Sequence, residues 1–325
     1  TIKIGLVGCG GRGTGAAVQA MNTNGEVNIV AMADVFDDRL QGSYRAIKSK
    51  HGDKVKVTKE TMFTGLDAYK QVLEADIDLI ILATPPGFRP LHFEAAVNAG
   101  VHIFMEKPVA TDAPGIRRVL DANKIAVDKN LCVQVGLQRR HEPAYIETIA
   151  RLKDGAIGDI NLGRVYWNGG GVWVRPRQDG QSELEYQMRN WYYFNWLCGD
   201  HIDEQHIHNI DVMIWLEDDF PISAQGQGGR EVRNGIDHGE IFDHHFVEFK
   251  YPSGAIVSSQ CRHQPGTKFD VSEAFQGTKA NVVTSGDYCK IIDHNGNDVF
   301  KHDPSNDKSP YQIEHDRLFE SIRSG

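Results

Sequence analysis

A glycine-rich run, one lysine and a histidine–acid stretch are the residues here whose types and spacing could do chemistry. Near the start, Gly8-Cys9-Gly10-Gly11-Arg12-Gly13 has the spacing G-x-G-x-x-G. Between a strand and a helix, the first glycine permits a tight turn and the second lets backbone approach a pyrophosphate. The third lets helix pack closely on strand. Free N–H groups at the helix start, Gly11 and Arg12 included, then offer partial positive charge to phosphates. Asp34 stands 21 residues after Gly13, where an acidic side chain accepts from the adenosine ribose and repels a 2′-phosphate. That favours NAD over NADP, although Arg12 and Arg39 are cations near enough to keep NADP open. A glycine-rich turn with a capping aspartate would use the same residues, but it would not require strand, loop, helix and acid together.

Two further groups follow apolar runs, at the carboxyl ends of strands where this kind of sheet binds ligands. Thr84 and Pro85 follow residues 79–83, and Glu106-Lys107-Pro108 follows residues 101–105. Lys107 could bind a substrate hydroxyl or lower the pKa of a neighbouring acid; a surface ion pair beside a proline is the plainer alternative. Further on, residues 199–211 read Gly-Asp-His-Ile-Asp-Glu-Gln-His-Ile-His-Asn-Ile-Asp. If they are helical from about 203, Glu204, His208 and Asp211 are spaced i, i+4 and i+7 and share one face. A histidine titrates near neutral pH and suits proton transfer to and from an alcohol, with a carboxylate one turn away to orient it. His206 points away from that stripe and His201 precedes it. The spacing matches no H-E-x-x-H pattern and hydride transfer needs no metal, so no metal is expected.

The elements that must hold these groups follow from hydrophobic periodicity. Residues 1 to about 130 alternate short apolar runs (2–8, 27–34, 79–83, 101–105, 131–136) with helical patterns (11–22, 37–50, 69–74, 92–99, 116–128). Continuous apolar strands alternating with helices predict a parallel, doubly wound Rossmann sheet covered on both faces. After about residue 155, the stretches 162–167, 242–251, 255–261 and 269–275 alternate like strands. One helical stretch, 203–216, interrupts them. This predicts an α+β domain with a mostly antiparallel sheet. We divide the chain into a nucleotide-binding domain, 1–127, and a substrate domain, 128–325. A length of 325 residues fits two domains.

Composition bounds the rest. The net charge of −9, from 35 basic and 44 acidic residues, argues against nucleic-acid binding. No apolar run approaches the roughly 20 residues that span a bilayer. Five scattered cysteines without C-x-x-C spacing read as buried thiols. Of the residues between the start of the second domain and the histidine stretch, Trp173 and Arg175, with Arg177, suit a sugar ring. Most of the aromatic run Trp191-Tyr192-Tyr193-Phe194-Asn195-Trp196 is expected in the core or in an interface. His244 and His245 alternate on a strand and receive no role.

The glycine loop, Glu106-Lys107-Pro108, Gly136-Leu137-Gln138-Arg139-Arg140-His141 and residues 204–211 together resemble the Gfo/Idh/MocA family of sugar and cyclitol oxidoreductases, along essentially the whole chain. The resemblance implies that Lys107 contacts the reacting hydroxyl and His208 is the acid/base. Arg140 and Asp211 are then placed at the substrate, with Thr84, Pro85, Glu106 and Lys107 beside the cofactor. Glu204 stands where the family commonly has Asp, and its longer side chain positions His208. The family also implies an open-faced second sheet that pairs as a homodimer or homotetramer. The variant run before Glu204 resembles a subgroup often made as exported precursors, which makes a periplasmic site plausible beside a cytoplasmic one. Family chains usually continue beyond the equivalent of residue 325. The activity implied is NAD-dependent hydride transfer at a secondary alcohol of a sugar, cyclitol or glycoside. An NAD-dependent glycoside hydrolase with transient oxidation and a non-catalytic NAD- or sugar-binding protein are the alternatives.

Overall fold

The structure is a computed structural model that describes residues 1–325, and it forms two compact units. The first unit comprises residues 1–137 together with 309–325, the second residues 138–308.

In the first unit, strands β1 (Ile2–Val7), β2 (Val27–Asp34), β3 (Met62–Thr64), β4 (Leu79–Leu82), β5 (His102–Met105) and β6 (Val133–Val135) alternate with helices. The helices are α1 (Gly11–Met21), α2 (Asp37–His51), α3 (Ala68–Glu74), α4 (Arg89–Ala99) and α5 (Ala113–Asp128). All the strand pairings are parallel, in the order β3-β2-β1-β4-β5-β6. Strand β4 reads Leu-Ile-Ile-Leu and is wholly buried, as a central strand with helices on both faces must be. Local signals set the helix ends: the Asp112 carboxylate accepts the Gly115 N–H at 2.7 Å to start α5, and Gly100 ends α4 at φ +76°. Leu318 and Phe319 of the C-terminal helix Pro310–Ser324 join the core formed by α1, β1 and β2. The domain boundary drawn at 127 and the division at 137 therefore differ by β6, which completes the parallel sheet, and by a helix that returns from the far end of the chain.

The second unit has an eight-stranded sheet of β7 (Ile160–Gly169), β8 (Ser223–Gly229), β9 (His244–Lys250), β10 (Ile256–His263), β11 (Asp270–Gly277), β12 (Ala280–Ser285), β13 (Tyr288–Asp293) and β14 (Asp298–Lys301). Its order is β14-β13-β12-β11-β7-β10-β9-β8, antiparallel except where β7 meets β10. Helices α6 (Pro143–Lys153), α7 (Glu183–Arg189), α8 (Asn195–Cys198), α9 (Asp200–Glu204) and α10 (Ile207–Glu217) complete it. Burial alternates with period 2 along β10 and β12, the mark of a sheet covered on one face. On the covered face Val165, Val257, Phe275 and Ile291 pack against Tyr145, Ile149, Val212 and Met213 of α6 and α10. β8 and β14 carry mostly exposed, polar sequence, and their alternation was not apparent before pairing was known.

Candidate active site

The phosphate loop of the first unit meets each requirement of its glycines. Gly8 sits at φ +96°, and a Cβ there would lie 2.5 Å from the Ala83 carbonyl carbon. A Cβ on Gly13 would lie 1.9 Å from the Gly8 carbonyl oxygen, so helix and strand could not approach as they do. At Gly10 and Gly11, by contrast, an added Cβ would meet nothing within 4 Å. Space is thus left open where a pyrophosphate would need it and closed where packing needs it. Asp34, at the end of β2, accepts the Cys9 N–H at 2.7 Å and the Phe36 N–H at 2.9 Å. Burial raises its carboxyl from the ordinary value, against the pull of those N–H groups and of Arg39.

Thr84 and Pro85 follow β4, with Thr84 Oγ1 3.2 Å from His92 Nδ1. Arg89, which the sequence reading missed, is fully buried beneath them. Its guanidinium donates to the carbonyls of Leu82 and Thr84, each at 2.7 Å, and to that of Pro108 at 3.5 Å. One cation therefore ties the loop after β4 to the loop after β5, where Lys107 lies half-buried. Glu106 Oε1 is 2.6 Å from Arg12 Nε, and its carboxylate fills the space that a side chain at Gly136 would need, 2.6 Å from the virtual Cβ. The Arg12 guanidinium also lies 4.8 Å over the Tyr311 ring. Glu314, on the same C-terminal helix, is fully buried with no hydrogen-bond partner for either oxygen. Burial, then the nearby Glu106 charge, push its carboxyl up to about 9, with Arg12 opposing.

In the second unit the expected single helix over 203–216 is broken. α9 ends at Glu204 and α10 begins at Ile207, so Glu204 and His208 do not share a helix face. The N–H of His206 reaches back to the His201 carbonyl, the N–H of His208 only to Gln205. The His206 ring is fully buried and its Nε2 meets Ser259 Oγ on β10 at 2.7 Å. Anchoring this imidazole in the sheet fits the interruption of the ladder, which i, i+4 spacing does not register. His208 and Asp211 remain i, i+3 on α10. His208 is buried, its ring stacked 6.0 Å from that of Trp167.

Arg140 and Asp211 find each other, through Nε–Oδ2 at 2.8 Å and Nη2–Oδ1 at 2.7 Å, a bidentate pair. Glu204 is buried near Tyr192; burial, then that negative charge, hold the phenol well above its ordinary pKa. Trp173 lies edge-on to Tyr192 with centroids 6.2 Å apart, and the Arg175 guanidinium lies 4.8 Å over Trp173. The aromatic run divides as expected: Tyr192, Tyr193 and Phe194 are buried and Trp196 is exposed. Arg177 is committed to Glu183 at 2.6 Å. Below the histidine helix, buried Glu273 accepts from Arg139, Asn209, Tyr145 and Thr284.

The family model for the Gfo/Idh/MocA oxidoreductases, with an NAD-binding Rossmann fold, matches residues 2–137. An inositol 2-dehydrogenase of Rhizobium meliloti is 26% identical over 285 residues, covering 87% of this chain and 75% of its own. Residues 2–137 thus carry the nucleotide-binding domain of the Gfo/Idh/MocA oxidoreductases, and the chain is an oxidoreductase. Among solved structures, the aldose-aldose oxidoreductase of Caulobacter crescentus superposes with a TM-score of 0.77 at 17% identity, covering 100% of this chain and 90% of that one. A levoglucosan dehydrogenase complexed with NADH and levoglucosan gives 0.75 at 17% identity, covering 99% and 89%. At such identities these two show a shared fold, which extends beyond the matched N-terminal segment to both sheets.

Proposed function

We propose that this oxidoreductase is an NAD-dependent dehydrogenase acting on a secondary alcohol of a sugar, cyclitol or glycoside. The observation that carries the reading is the contrast within the glycine loop, closed at Gly8 and Gly13 and open at Gly10 and Gly11. The inositol 2-dehydrogenase relative and the levoglucosan-bound neighbour both point to a polyol substrate. Asp34, with its carboxylate held at the loop by two N–H groups, supports NAD over NADP. Gly8, Gly10, Gly11, Arg12, Gly13 and Asp34 would hold the dinucleotide, with Thr84, Pro85, Glu106 and Lys107 beside it. When bound, the nicotinamide supplies the hydride acceptor.

The chain's own groups do the rest. The Lys107 ammonium donates to the alcohol oxygen and stabilises negative charge there. His208 takes the hydroxyl proton on a ring nitrogen as general base. Glu204, buried at the end of α9, orients His208. Trp173 and Arg175 offer a ring face and a donor fork to the sugar, while Arg140 and Asp211 contact it as a preformed pair. Leu162, Phe246 and Ile256 lie on one face of the sheet, the uncovered one, and are partly exposed. That apolar surface supports pairing of copies as a homodimer or homotetramer.

Absorbance and mass analysis of the denatured protein for released NAD(H), then a screen of sugars and cyclitols for net NADH, tests the activity. Lys107→Ala and His208→Ala should each lower turnover by about 10²-fold or more while NAD binding stays within a factor of two or so. Normal turnover in either variant would remove its assigned role. Bound cofactor, no net NADH and cleaved glycosides would replace the dehydrogenase by a redox-cycling hydrolase. Copies that remain monomeric by light scattering would end the pairing proposal.

A further inference from the structure

Asp200, His201 and His245 take no part in the reaction above, yet the second unit brings them together from two elements. Asp200 and His201 open α9, and His245 lies on β9, 44 residues further on. His245 stands opposite Cys261 in the β9–β10 ladder, so its side chain shares the covered face with that of Cys261, and His244 takes the other. Asp200 Oδ2 accepts the Phe242 N–H at 2.9 Å, which fixes the carboxylate. Its Oδ1 then lies 3.3 Å from His245 Nε2 and 3.8 Å from His201 Nε2. The three candidate donor atoms fall within 4.8 Å of one another.

The histidines themselves call for a ligand. His201 is fully buried, and neither of its ring nitrogens has a hydrogen-bond partner; His245 Nε2 has none either. Buried polar groups are almost always satisfied, so these orphaned nitrogens, two of them beside one carboxylate oxygen, need an account. The spacing supplies one: donors about 2.1 Å from a tetrahedral ion lie about 3.4 Å apart. Burial, and then the neighbouring His263 and His245, hold the His201 imidazole well below its ordinary pKa, which keeps its lone pair available. The nearby thiols are poor competitors, because burial pushes both Cys198 and Cys261 up.

We propose that Asp200, His201 and His245 bind a divalent transition-metal ion, with Zn²⁺ the ion best suited to two imidazoles and one carboxylate, and with the remaining position open to water. The bound ion clips the start of α9 to β9, and the other end of that five-residue helix is Glu204.

The test uses the full chain, stripped by chelator, passed through a desalting column and titrated with Zn²⁺, with bound metal measured by elemental analysis. Co²⁺ loaded in parallel reports ligand geometry through its visible absorption. The expected result is about one equivalent per chain, with low-symmetry Co²⁺ bands. Asp200→Asn and His245→Gln should each weaken binding by about 100-fold, while His244→Gln leaves it unchanged. Circular dichroism confirms that the variants fold. Wild-type chain with no metal after desalting overturns the proposal whatever the variants do, and so does undiminished affinity in the Asp200→Asn/His245→Gln pair.

Discussion

Glu314 shows how far one residue can be moved from its behaviour in water. Its carboxyl is raised to about 9, so at neutral pH the folded protein holds a proton that the unfolded chain has released. The sign follows from linkage. Stability from this group is complete below about pH 4.5 and is lost as pH rises towards 9, because only the unfolded chain gives up the proton. Glu314→Gln keeps the shape and removes the penalty. It should leave stability nearly unchanged at pH 4.5 and raise it at pH 8, by an amount on the order of 3–5 kcal/mol, with the melting temperature following. An equal shift at both pH values would mean the carboxyl titrates normally. The glycines make an opposed pair: Gly10→Ala should preserve stability and weaken NAD binding, because its Cβ meets only open space. Gly13→Ala should lower stability as well, since its Cβ would collide with the Gly8 carbonyl. Differential scanning fluorimetry with and without NAD separates the two effects. The glycine loop could be read from sequence because its rules are local. Glu314 could not, because the burial that perturbs it comes from strands and helices some 200–300 positions away in sequence.

At the scale of elements, the break between α9 and α10 is the main departure from what the residues foretold. Spacing suggested one helix because Glu204, His208 and Asp211 fall at i, i+4 and i+7. It could not see that His206 would bind Ser259 on a strand not yet placed. Five of the six parallel strands were readable to within about two residues, since an apolar run flanked by helix signals has few other meanings, while the three-residue β3 is too short to signal itself. β8 and β14 were not, being polar edge strands whose identity lies in their partners. The same reach across elements governs Glu273, which gathers donors from α6, α10, β12 and the turn before α6. Replacing Glu273 with Leu leaves buried Arg139 uncompensated, and urea unfolding should show a loss of about 3–5 kcal/mol. A loss below about 1 kcal/mol would show that Arg139 finds another partner or water. For Arg140 and Asp211, which are partly exposed, a double-mutant cycle should give a coupling nearer 1 kcal/mol.

For the whole molecule, the two units differ in how they are built from the chain. The second is one continuous stretch, while the first takes its covering helix from residues 309–325. Leu318 and Phe319 are both buried in its core, and Gln312 donates to the Gln19 carbonyl at 3.0 Å. Removing residues 309–325 should therefore destabilise the nucleotide-binding unit by several kcal/mol, at about 2–5 for each large apolar side chain lost. It should leave the second unit's unfolding transition in place. A single unchanged melt would show that the helix contributes nothing to the first core.

That arrangement also sets a timetable for synthesis. A ribosome delivers α1 early and the helix that covers it only after the entire second unit has been made. At 5–20 residues per second, the roughly 290 residues between them take about 15–60 s. Throughout that interval the nascent nucleotide-binding unit displays an apolar surface with no cover, open to chaperones and to neighbouring chains on the same messenger. A circular permutant that places residues 309–325 ahead of residue 1 would close that window and make the unit complete before the second began.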